Sequence, residues 1–88
     1  MTYRLTRQAK SDIKAIYRYT VKYFGEGQAQ EYLDGLDYSF ELLTDNPNIG
    51  RLFAGKIRRY VYKSHLVYYE IKKDEIHIIR IRHGQQKP

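Results

Sequence analysis

The stretch that decides the fold is HLVYYEIKKDEIHIIRIRH, residues 65–83. Tyr, Ile, Val and Leu dominate two runs within it, His65–Ile71 and Ile76–Arg82, and the polar segment KKDE at 72–75 separates them. Aromatic and β-branched residues favour strands, and a short polar connection between two such runs is typical of a hairpin. Residues 65–83 therefore predict two antiparallel strands.

Two more strands are predicted outside this hairpin. Lys56–Tyr62 is a third run of the same composition, joined to the hairpin by Lys63-Ser64, and Tyr3–Thr6 alternates apolar and polar residues. Neither connection in the C-terminal half contains the glycine that tight hairpin turns prefer. The segment between Asn48 and Gly55 is predicted to be a loop. The C-terminal half should thus form a three-stranded meander.

Between the first strand and the meander the hydrophobic period changes to three and four residues, which indicates two helices. The first is expected to begin after an N-cap at Thr6 and to end at about Phe24, before Gly25. The second should run from about Gly27 to Asp45, where Asn46-Pro47 stops it. Their apolar stripes are Ala9, Ile13, Ile16, Thr20 and Phe24 in the first helix, and Ala29, Leu33, Leu36, Phe40 and Leu43 in the second.

The predicted element order is β-α-α-β-β-β. The short link at Gly25-Glu26 makes the two helices an antiparallel hairpin, and one face of a small sheet is the natural place for it. The fold class is therefore α+β, with one layer of antiparallel-rich sheet and a helical hairpin on one face. The whole chain, residues 1–88, is expected to be a single domain, because 88 residues are too few for two cores.

Composition limits the function classes. The chain has no cysteine, so no disulfide framework or thiolate metal site can form, and its N-terminus lacks the apolar core of a signal peptide. No apolar run approaches the roughly 18 residues that span a bilayer. His77 and His83 are too far apart along one strand to bind one ion together. We expect a cytoplasmic protein with no metal, no cofactor and no membrane partner.

The charge is asymmetric along the chain. Residues 1–50 contain six Lys and Arg against seven Asp and Glu, whereas residues 51–88 contain ten against three, a local net charge of +7. A one-sided positive field attracts nucleic acid or acidic protein surfaces. The partner of the C-terminal half is expected to be anionic.

A two- or four-residue hairpin loop would place Arg82 opposite His65, Arg80 opposite Val67 and Ile78 opposite Tyr69, while a three-residue loop would change the faces. In the first case one sheet face is predicted to be exposed, apolar at one end and cationic at the other, and its reverse to lie under the helices. The exposed set is His65, Val67, Tyr69, Ile71, Ile76, Ile78, Arg80 and Arg82, and the covered set is Leu66, Tyr68, Ile79 and Ile81.

The candidate site is a basic surface on that exposed face. Its members are the cationic residues of the strands and the turn between them: Arg58, Arg59, Lys63, His65, Arg80 and Arg82. The competing interpretation is that these are ordinary solvent-facing strand residues that protect an edge. A third possibility is RNA cleavage, in which His65 or His83 transfers protons and arginines stabilise phosphorane charge. Pattern alone leaves these alternatives open.

The sequence also resembles a known family. The runs that carry the resemblance are Ala9…Asp12-Ile13…Ile16…Tyr19, Phe24-Gly25…Ala29…Tyr32-Leu33…Leu36, Asn46-Pro47-Asn48-Ile49-Gly50, Ser64-His65-Leu66-Val67-Tyr68-Tyr69, and Ile78-Ile79-Arg80-Ile81-Arg82-His83-Gly84. In order and spacing they are similar to the ParE branch of the ParE/RelE toxins, over nearly the whole chain.

The resemblance implies a bacterial type II toxin that poisons DNA gyrase and is neutralised by a cognate antitoxin, in a complex that can reach higher oligomeric order. It implies that the toxin inhibits an enzyme and has no catalytic residues of its own. The target- and antitoxin-binding residues expected on this basis are Arg58, Arg59, Lys63, His65, Tyr69, Arg80, Arg82 and His83.

Two alternatives remain. The RelE branch shares the fold and is a ribosome-dependent mRNA endonuclease; here Arg58, Arg80 and Arg82 would hold phosphate, and His65 or His83 would transfer protons. The absence of a tyrosine after Tyr69 favours the inhibitor over the nuclease. The other alternative is an inert toxin-like module that only sequesters an antitoxin.

Overall fold

The computed structural model describes residues 1–85. Seven elements follow one another along the chain: β1 (Thr2–Leu5), α1 (Arg7–Phe24), α2 (Glu26–Asp45), β2 (Arg51–Ala54), β3 (Ile57–Tyr62), β4 (His65–Lys72) and β5 (Glu75–His83). The two helices form a hairpin on one face of a five-stranded sheet, so the predicted α+β class is confirmed. Neither helix is long and apolar enough to cross a membrane, within the part of the chain that is described.

The sheet has the strand order β1-β5-β4-β3-β2. The last four strands form an antiparallel meander, and β1 joins its far edge by pairing in parallel with β5, from Thr2 beside Glu75 to Leu5 beside Ile78. The first strand in the chain is therefore held by the last.

Strand β2 was not predicted. It lies within the segment assigned to a loop and pairs with β3, Arg51 opposite Arg59 and Leu52 opposite Arg58, with an irregularity before Ala54. All four of its residues are exposed, so its sequence carries no alternation of buried and exposed positions. Its pairing with β3 forms the strand, which local pattern cannot show.

Thr6 joins the first helix to the sheet. Its hydroxyl accepts from the backbone N–H of Ala9, 3.1 Å away, as the predicted N-cap does, and donates to the carbonyl of Ile79 at 2.8 Å. At the other end of α1, Gly25 takes φ 89°, a conformation that side chains rarely adopt. The helical hairpin is thus set by one cap and one glycine.

The assignment of sheet faces was wrong. The pairs Tyr69–Ile78 and Ile71–Ile76 are as predicted, but a bulge follows, so that Arg80 lies opposite Tyr68, Ile81 opposite Val67 and His83 opposite His65. The face expected to be exposed is the one that the helices cover: Val67, Tyr69, Ile76 and Ile78 are all 0% exposed. Leu66, Tyr68 and Ile79, expected beneath the helices, are half-buried, whereas Ile81 is buried as expected.

Both faces of this hairpin offer apolar residues, so composition alone does not choose between them. The face that offers the larger set of apolar side chains is the one that forms the core. Its residues pack with Ile16, Leu36, Phe40 and Leu43 of the helices. Within residues 1–85 no helix covers the reverse side of the sheet, which we call the open face.

The two hairpin turns without glycine contain two residues each, Lys63-Ser64 and Lys73-Asp74. In each turn the first residue adopts a positive φ, 50° at Lys63 and 54° at Lys73. The lysines therefore occupy a backbone region that glycine would enter more easily.

Candidate functional site: the hairpin groove

A groove of about 660 Å³ lies between the helical hairpin and the ends of β4 and β5. We call it the hairpin groove. Its polar lining consists mainly of Asp12, Tyr32, Ser64, His65, Arg80, His83 and Gln85, and its apolar lining of Ile16, Tyr19, Phe24 and Ile81. It therefore combines one polar, imidazole-rich wall with an apolar one.

Asp12 fixes Arg80 at one side of this groove. The Arg80 guanidinium donates to the Asp12 carboxylate through Nε at 3.0 Å and through a terminal nitrogen at 3.3 Å, and the backbone N–H of Ile81 donates to the same carboxylate at 2.9 Å. Strand β1 ends at Leu5, before it could pair with this part of β5. Asp12 supplies the acceptor that the β5 edge would otherwise lack.

His65 lies between the second helix and the last strand. The hydroxyl of Tyr32 is 2.6 Å from Nδ1 of His65, and the ring of His83 lies 5.4 Å away in an edge-to-face arrangement. Burial lowers the pKa of His65 below its ordinary value, and the neighbouring His83 lowers it further. A neutral His65 with its proton on Nε2 can accept the Tyr32 hydroxyl proton at Nδ1.

His83 is held near the end of the described chain. Its Nδ1 accepts from the backbone N–H of Gln85 at 3.2 Å, and the N–H of Gly84 donates to the carbonyl of Ser64 at 2.8 Å. These contacts fold the end of β5 towards the turn that precedes β4. The predicted residues His65 and His83 are brought together because they are directly opposite each other in the pairing of β4 with β5.

The outer rim of the groove is aromatic and cationic. Tyr19, Tyr23 and Phe24 on α1 are 61%, 58% and 57% exposed. The rings of Tyr19 and Tyr23 pack against each other with their centres 4.6 Å apart. On the opposite rim the ammonium of Lys63 lies 5.6 Å from the ring centre of Tyr32. Exposed aromatic rings beside a groove are typical of surfaces that bind protein segments.

Two predicted site residues instead hold a loop. The Tyr69 hydroxyl donates to the carbonyl of Pro47 at 2.7 Å and accepts from the buried N–H of Gly50 at 2.9 Å. Arg58 donates to the carbonyls of Gly50, at 2.7 Å, and Asn48, at 3.3 Å. The Tyr69 side chain is inaccessible at the surface, so we assign it to the core and not to a binding surface.

Arg59 and Arg82 belong to neither group. Arg59 pairs with Tyr68, and Arg82 with Leu66, which places both on the open face of the sheet. The single basic surface expected from the sequence is therefore divided among three locations. His65 and Arg80 line the hairpin groove, with Lys63 beside Tyr32 at its rim; Arg58 holds the loop; and Arg59 and Arg82 lie on the open face.

This division bears on the nuclease alternative. Of the arginines expected to hold phosphate, Arg80 alone lines the groove that contains the two histidines, and its guanidinium is engaged by Asp12. Arg58 donates to loop carbonyls. The geometry does not assemble a phosphate clamp around His65 and His83 from the residues proposed for it.

Asp12 and Tyr32 were missed as partners in the site. Both belong to the helical segments that carry the family resemblance. Their roles as hydrogen-bond partners depend on which strand atoms the helices face, and the sequence does not show this. Asp12 follows the N-cap of α1 by six residues, and Tyr32 lies next to Leu33 of the apolar stripe. The signal available in the sequence was that each of these polar side chains lies next to a residue of the apolar stripe of its helix. Within residues 1–85 no group of three potential metal ligands is assembled.

Comparisons with known proteins agree with this architecture. Residues 3–88 match the family model described as ParE toxin of type II toxin-antitoxin system, parDE. Toxin ParE1 of Caulobacter vibrioides is 35% identical over 85 residues, which cover 92% of this chain and 86% of that protein.

Two solved structures show the same fold. A structure titled as the chromosomal ParDE TA system from P. aeruginosa superposes with a TM-score of 0.85 at 24% identity, covering 97% of each chain. The solution structure of a conserved hypothetical protein from Helicobacter pylori gives a TM-score of 0.62 at 17% identity, covering 98% of this chain and 97% of the other. Likeness at these identities is evidence for the fold alone.

The helical hairpin, the five-stranded sheet and the element order define a small α+β protein of RelE-like fold. With the family match over nearly its whole length, the chain belongs to the ParE toxins of type II toxin-antitoxin systems. That membership implies a cognate antitoxin as its partner.

Proposed function

We propose that this toxin acts by binding DNA gyrase, and that its cognate antitoxin prevents this by covering the hairpin groove. The observation that carries the proposal is the groove itself, which places exposed aromatic rings beside an imidazole-rich wall, with the ammonium of Lys63 at its rim next to Tyr32. A partner segment with apolar anchors and acidic flanks complements both walls. Target and antitoxin then compete because they need overlapping surface at the same end of the molecule.

The exposed aromatic residues of α1 supply the main apolar anchor. Tyr19 and Phe24 both line the groove and are more than half exposed. Large rings that become buried on binding commonly dominate interface energies, at about 2 kcal/mol or more each. Their exposure in the free toxin is explained if a partner covers them.

The dispersal of the arginines supports inhibition by binding over RNA cleavage. A phosphate clamp requires several guanidinium groups directed at one point, and Arg58, Arg80 and Arg82 lie at three different locations. Binding of a protein segment needs no such convergence. The toxin is therefore proposed to be an inhibitor of an enzyme.

A supercoiling assay with purified gyrase and increasing amounts of toxin tests this function. We expect loss of supercoiling, accumulation of cleaved DNA, and full recovery when antitoxin is added. Primer extension on translated messages with the same preparation tests the alternative. Unchanged supercoiling together with codon-positioned cuts would reverse the proposal in favour of the nuclease, and unchanged results in both assays would favour the inert module.

The groove is tested separately by substitutions on α1. Tyr19→Ala with Phe24→Ala should weaken antitoxin binding by roughly 1,000-fold, because two rings at about 2 kcal/mol each give about 4 kcal/mol. Tyr38→Ala is the matched control, because Tyr38 is 64% exposed on α2 and does not line the groove. Equal affinities for the two variants would contradict a role for the groove in antitoxin binding.

A further inference from the structure

A second cluster of aromatic and cationic side chains lies on the open face of the sheet, at its β2 edge. Phe53 of β2 contacts Tyr68 of β4 edge-to-face, with ring centres 5.2 Å apart, and the guanidinium of Arg59 on β3 lies 5.1 Å from the Phe53 ring centre. Arg51 is directly opposite Arg59 in the strand register. We call Arg51, Phe53, Arg59 and Tyr68 the open-face shelf.

The shelf is on the other side of the sheet from the hairpin groove. Tyr69 is fully buried under the helices, and its neighbour Tyr68 must point to the reverse side because side chains alternate along a strand. None of the four shelf residues lines the hairpin groove. A segment seated in the groove therefore leaves the shelf accessible.

Arg51 and Arg59 place two positive charges directly opposite each other on adjacent strands. Like charges directly opposite each other on adjacent strands repel, and here one of them is held against an aromatic ring, which restricts its freedom to turn away. An anion placed between the two guanidinium groups would remove the repulsion and gain two charge-assisted hydrogen bonds. This arrangement is suited to binding a carboxylate more than to stabilising the sheet.

We propose that the open-face shelf is a second contact for the target protein, and that it binds an acidic side chain of gyrase flanked by an apolar one. The carboxylate would lie between Arg51 and Arg59, and the apolar group on the rings of Phe53, which is 44% exposed, and Tyr68. This inference rests on the proposed function and adds to it a surface that distinguishes target from antitoxin.

The chemistry of the open face favours a protein over a nucleic acid. Two carboxylates interrupt this face. Glu70 lies two residues beyond Tyr68 on the same face of β4, and Glu75 lies nearer β1, where its carboxylate is 3.3 Å from Nε of Arg4. A phosphate backbone running along the sheet would meet these carboxylates. Arg82 also lies on this face, opposite Leu66. The shelf itself combines two arginines with two aromatic rings, which complements a compact acidic and apolar spot.

The shelf is also suited to a folded target more than to a flexible antitoxin segment. Its four residues lie on three adjacent strands, and the contacts of Phe53 with Arg59 and Tyr68 already order them. A flat, preformed surface loses little conformational freedom when it meets another rigid surface. The antitoxin already has its own site in the groove under the proposed function.

The test is a pair of charge-reversal variants of the full chain. Arg51→Glu with Arg59→Glu alters the shelf, and Lys10→Glu with Lys14→Glu makes the same charge change on exposed positions of α1. Affinities for purified gyrase and for the purified antitoxin are measured for both. We expect the shelf variant to lose at least about tenfold in gyrase affinity, with antitoxin binding close to wild type, and the α1 variant to retain both.

The outcomes separate the two proposals. If wild-type toxin binds gyrase and the shelf variant binds it as tightly as the α1 variant does, the shelf inference is wrong and the proposed function stands. If wild-type toxin neither binds nor inhibits gyrase, both are overturned. Loss of binding to a labelled single-stranded oligonucleotide, with gyrase affinity unchanged, would instead make the shelf a nucleic-acid surface, and loss of self-association alone would make it a contact between toxin copies.

A milder variant controls for the possibility that charge reversal unfolds the protein. Arg51→Gln with Arg59→Gln removes both charges without adding any, so its melting temperature should stay close to that of the wild type, since the lost cross-strand repulsion offsets the lost contact of Arg59 with Phe53. Reduced gyrase affinity in this stable variant supports the shelf as a binding surface. Wild-type affinity in it contradicts the proposal.

Discussion

Asp12 on the first helix holds Arg80 on the last strand through two hydrogen bonds, and the same carboxylate accepts from the backbone N–H of the residue that follows Arg80. The Asp12 side chain is 10% exposed and that of Arg80 37%. Removing the better-buried partner should therefore be the more damaging change.

We expect Asp12→Ala to lower the free energy of unfolding by about 2 kcal/mol, because it leaves the Ile81 N–H and part of Arg80 without an acceptor. Asp12→Asn keeps an acceptor oxygen and should lose about half as much. Urea unfolding of the two variants and the wild type measures this. Equal stability of Asp12→Ala and wild type would mean that solvent replaces the carboxylate.

Arg80→Glu should also destabilise the fold, since it places a second carboxylate beside Asp12. From the sequence, Arg80 and Arg82 were both expected on an exposed face, where reversal of charge would leave the fold intact. Arg82→Glu serves as the comparison, because Arg82 lies opposite Leu66 on the open face. The expected order of melting temperatures has Arg80→Glu below Arg82→Glu.

Tyr69→Phe should destabilise the toxin by roughly 1–3 kcal/mol, because the buried N–H of Gly50 loses its acceptor. Tyr68→Phe removes the hydroxyl of the neighbouring tyrosine on the open face and is the matched control. Gly50→Ala should be more harmful still, since a Cβ there would lie 2.6 Å from the Tyr69 hydroxyl oxygen and 3.0 Å from the Arg59 carbonyl oxygen. Denaturant midpoints of the three variants check this ranking.

The toxin should lose stability on mild acidification through His65. Its pKa is lowered in the folded state, so the unfolded chain binds a proton first as the pH falls below the ordinary histidine value of about 6.5. The stabilisation is complete above that pH and is lost as the pH falls towards the folded pKa. The groups that face His65 are Tyr32 from α2, His83 from β5, and Lys63 and Ser64 from the adjoining turn, and Asp12 and Arg80 line the same groove.

Melting temperatures at pH 7.5 and 5.5, values on either side of about 6.5, measure this loss. We expect the difference between them to shrink in His65→Gln and to persist in His77→Gln, because His77 lies on the open face against Glu75. If His65→Gln and wild type show the same difference between the two pH values, another group is responsible.

Lys73→Gly should stabilise the β4–β5 turn. Lys73 has φ 54°, a region in which an L-residue is strained by roughly 1 kcal/mol and glycine is not. Part of the gain is offset by the greater freedom of glycine in the unfolded chain. Lys72→Gly is the control and should lower the melting temperature, because Lys72 is the last residue of β4.

The element order and the helical hairpin followed from the sequence because hydrophobic period, Thr6, Gly25 and Asn46-Pro47 all indicated the same boundaries. Strand β2 could not be predicted from the sequence, because its residues are exposed on both sides of the sheet and the strand is defined by its pairing with β3. The assignment of sheet faces failed since both sides of the C-terminal hairpin offer apolar residues and a bulge shifts the register beyond Tyr69.

The candidate site was predicted only in part. His65, Arg80 and His83 do converge, but their partners Asp12 and Tyr32 are on helices, and no spacing along the chain relates a helix position to a strand atom. Tyr69 and Arg58 were assigned to binding because tyrosine and arginine are frequent at interfaces. The loop at residues 47–50 uses the same hydrogen-bonding capacity within the protein.

The parallel pairing of β1 with β5 has a consequence for the folding of the toxin during its synthesis. During synthesis β1 has no neighbour in the sheet until β5 is available, and the carbonyls of Ile78 and Ile79, which accept hydrogen bonds from Thr6, also belong to β5. Contacts between distant parts of a chain form late and slowly. A chain that has not yet reached β5 therefore cannot assemble the full sheet or the hairpin groove, so the complete fold and the groove arise together once β5 has been made.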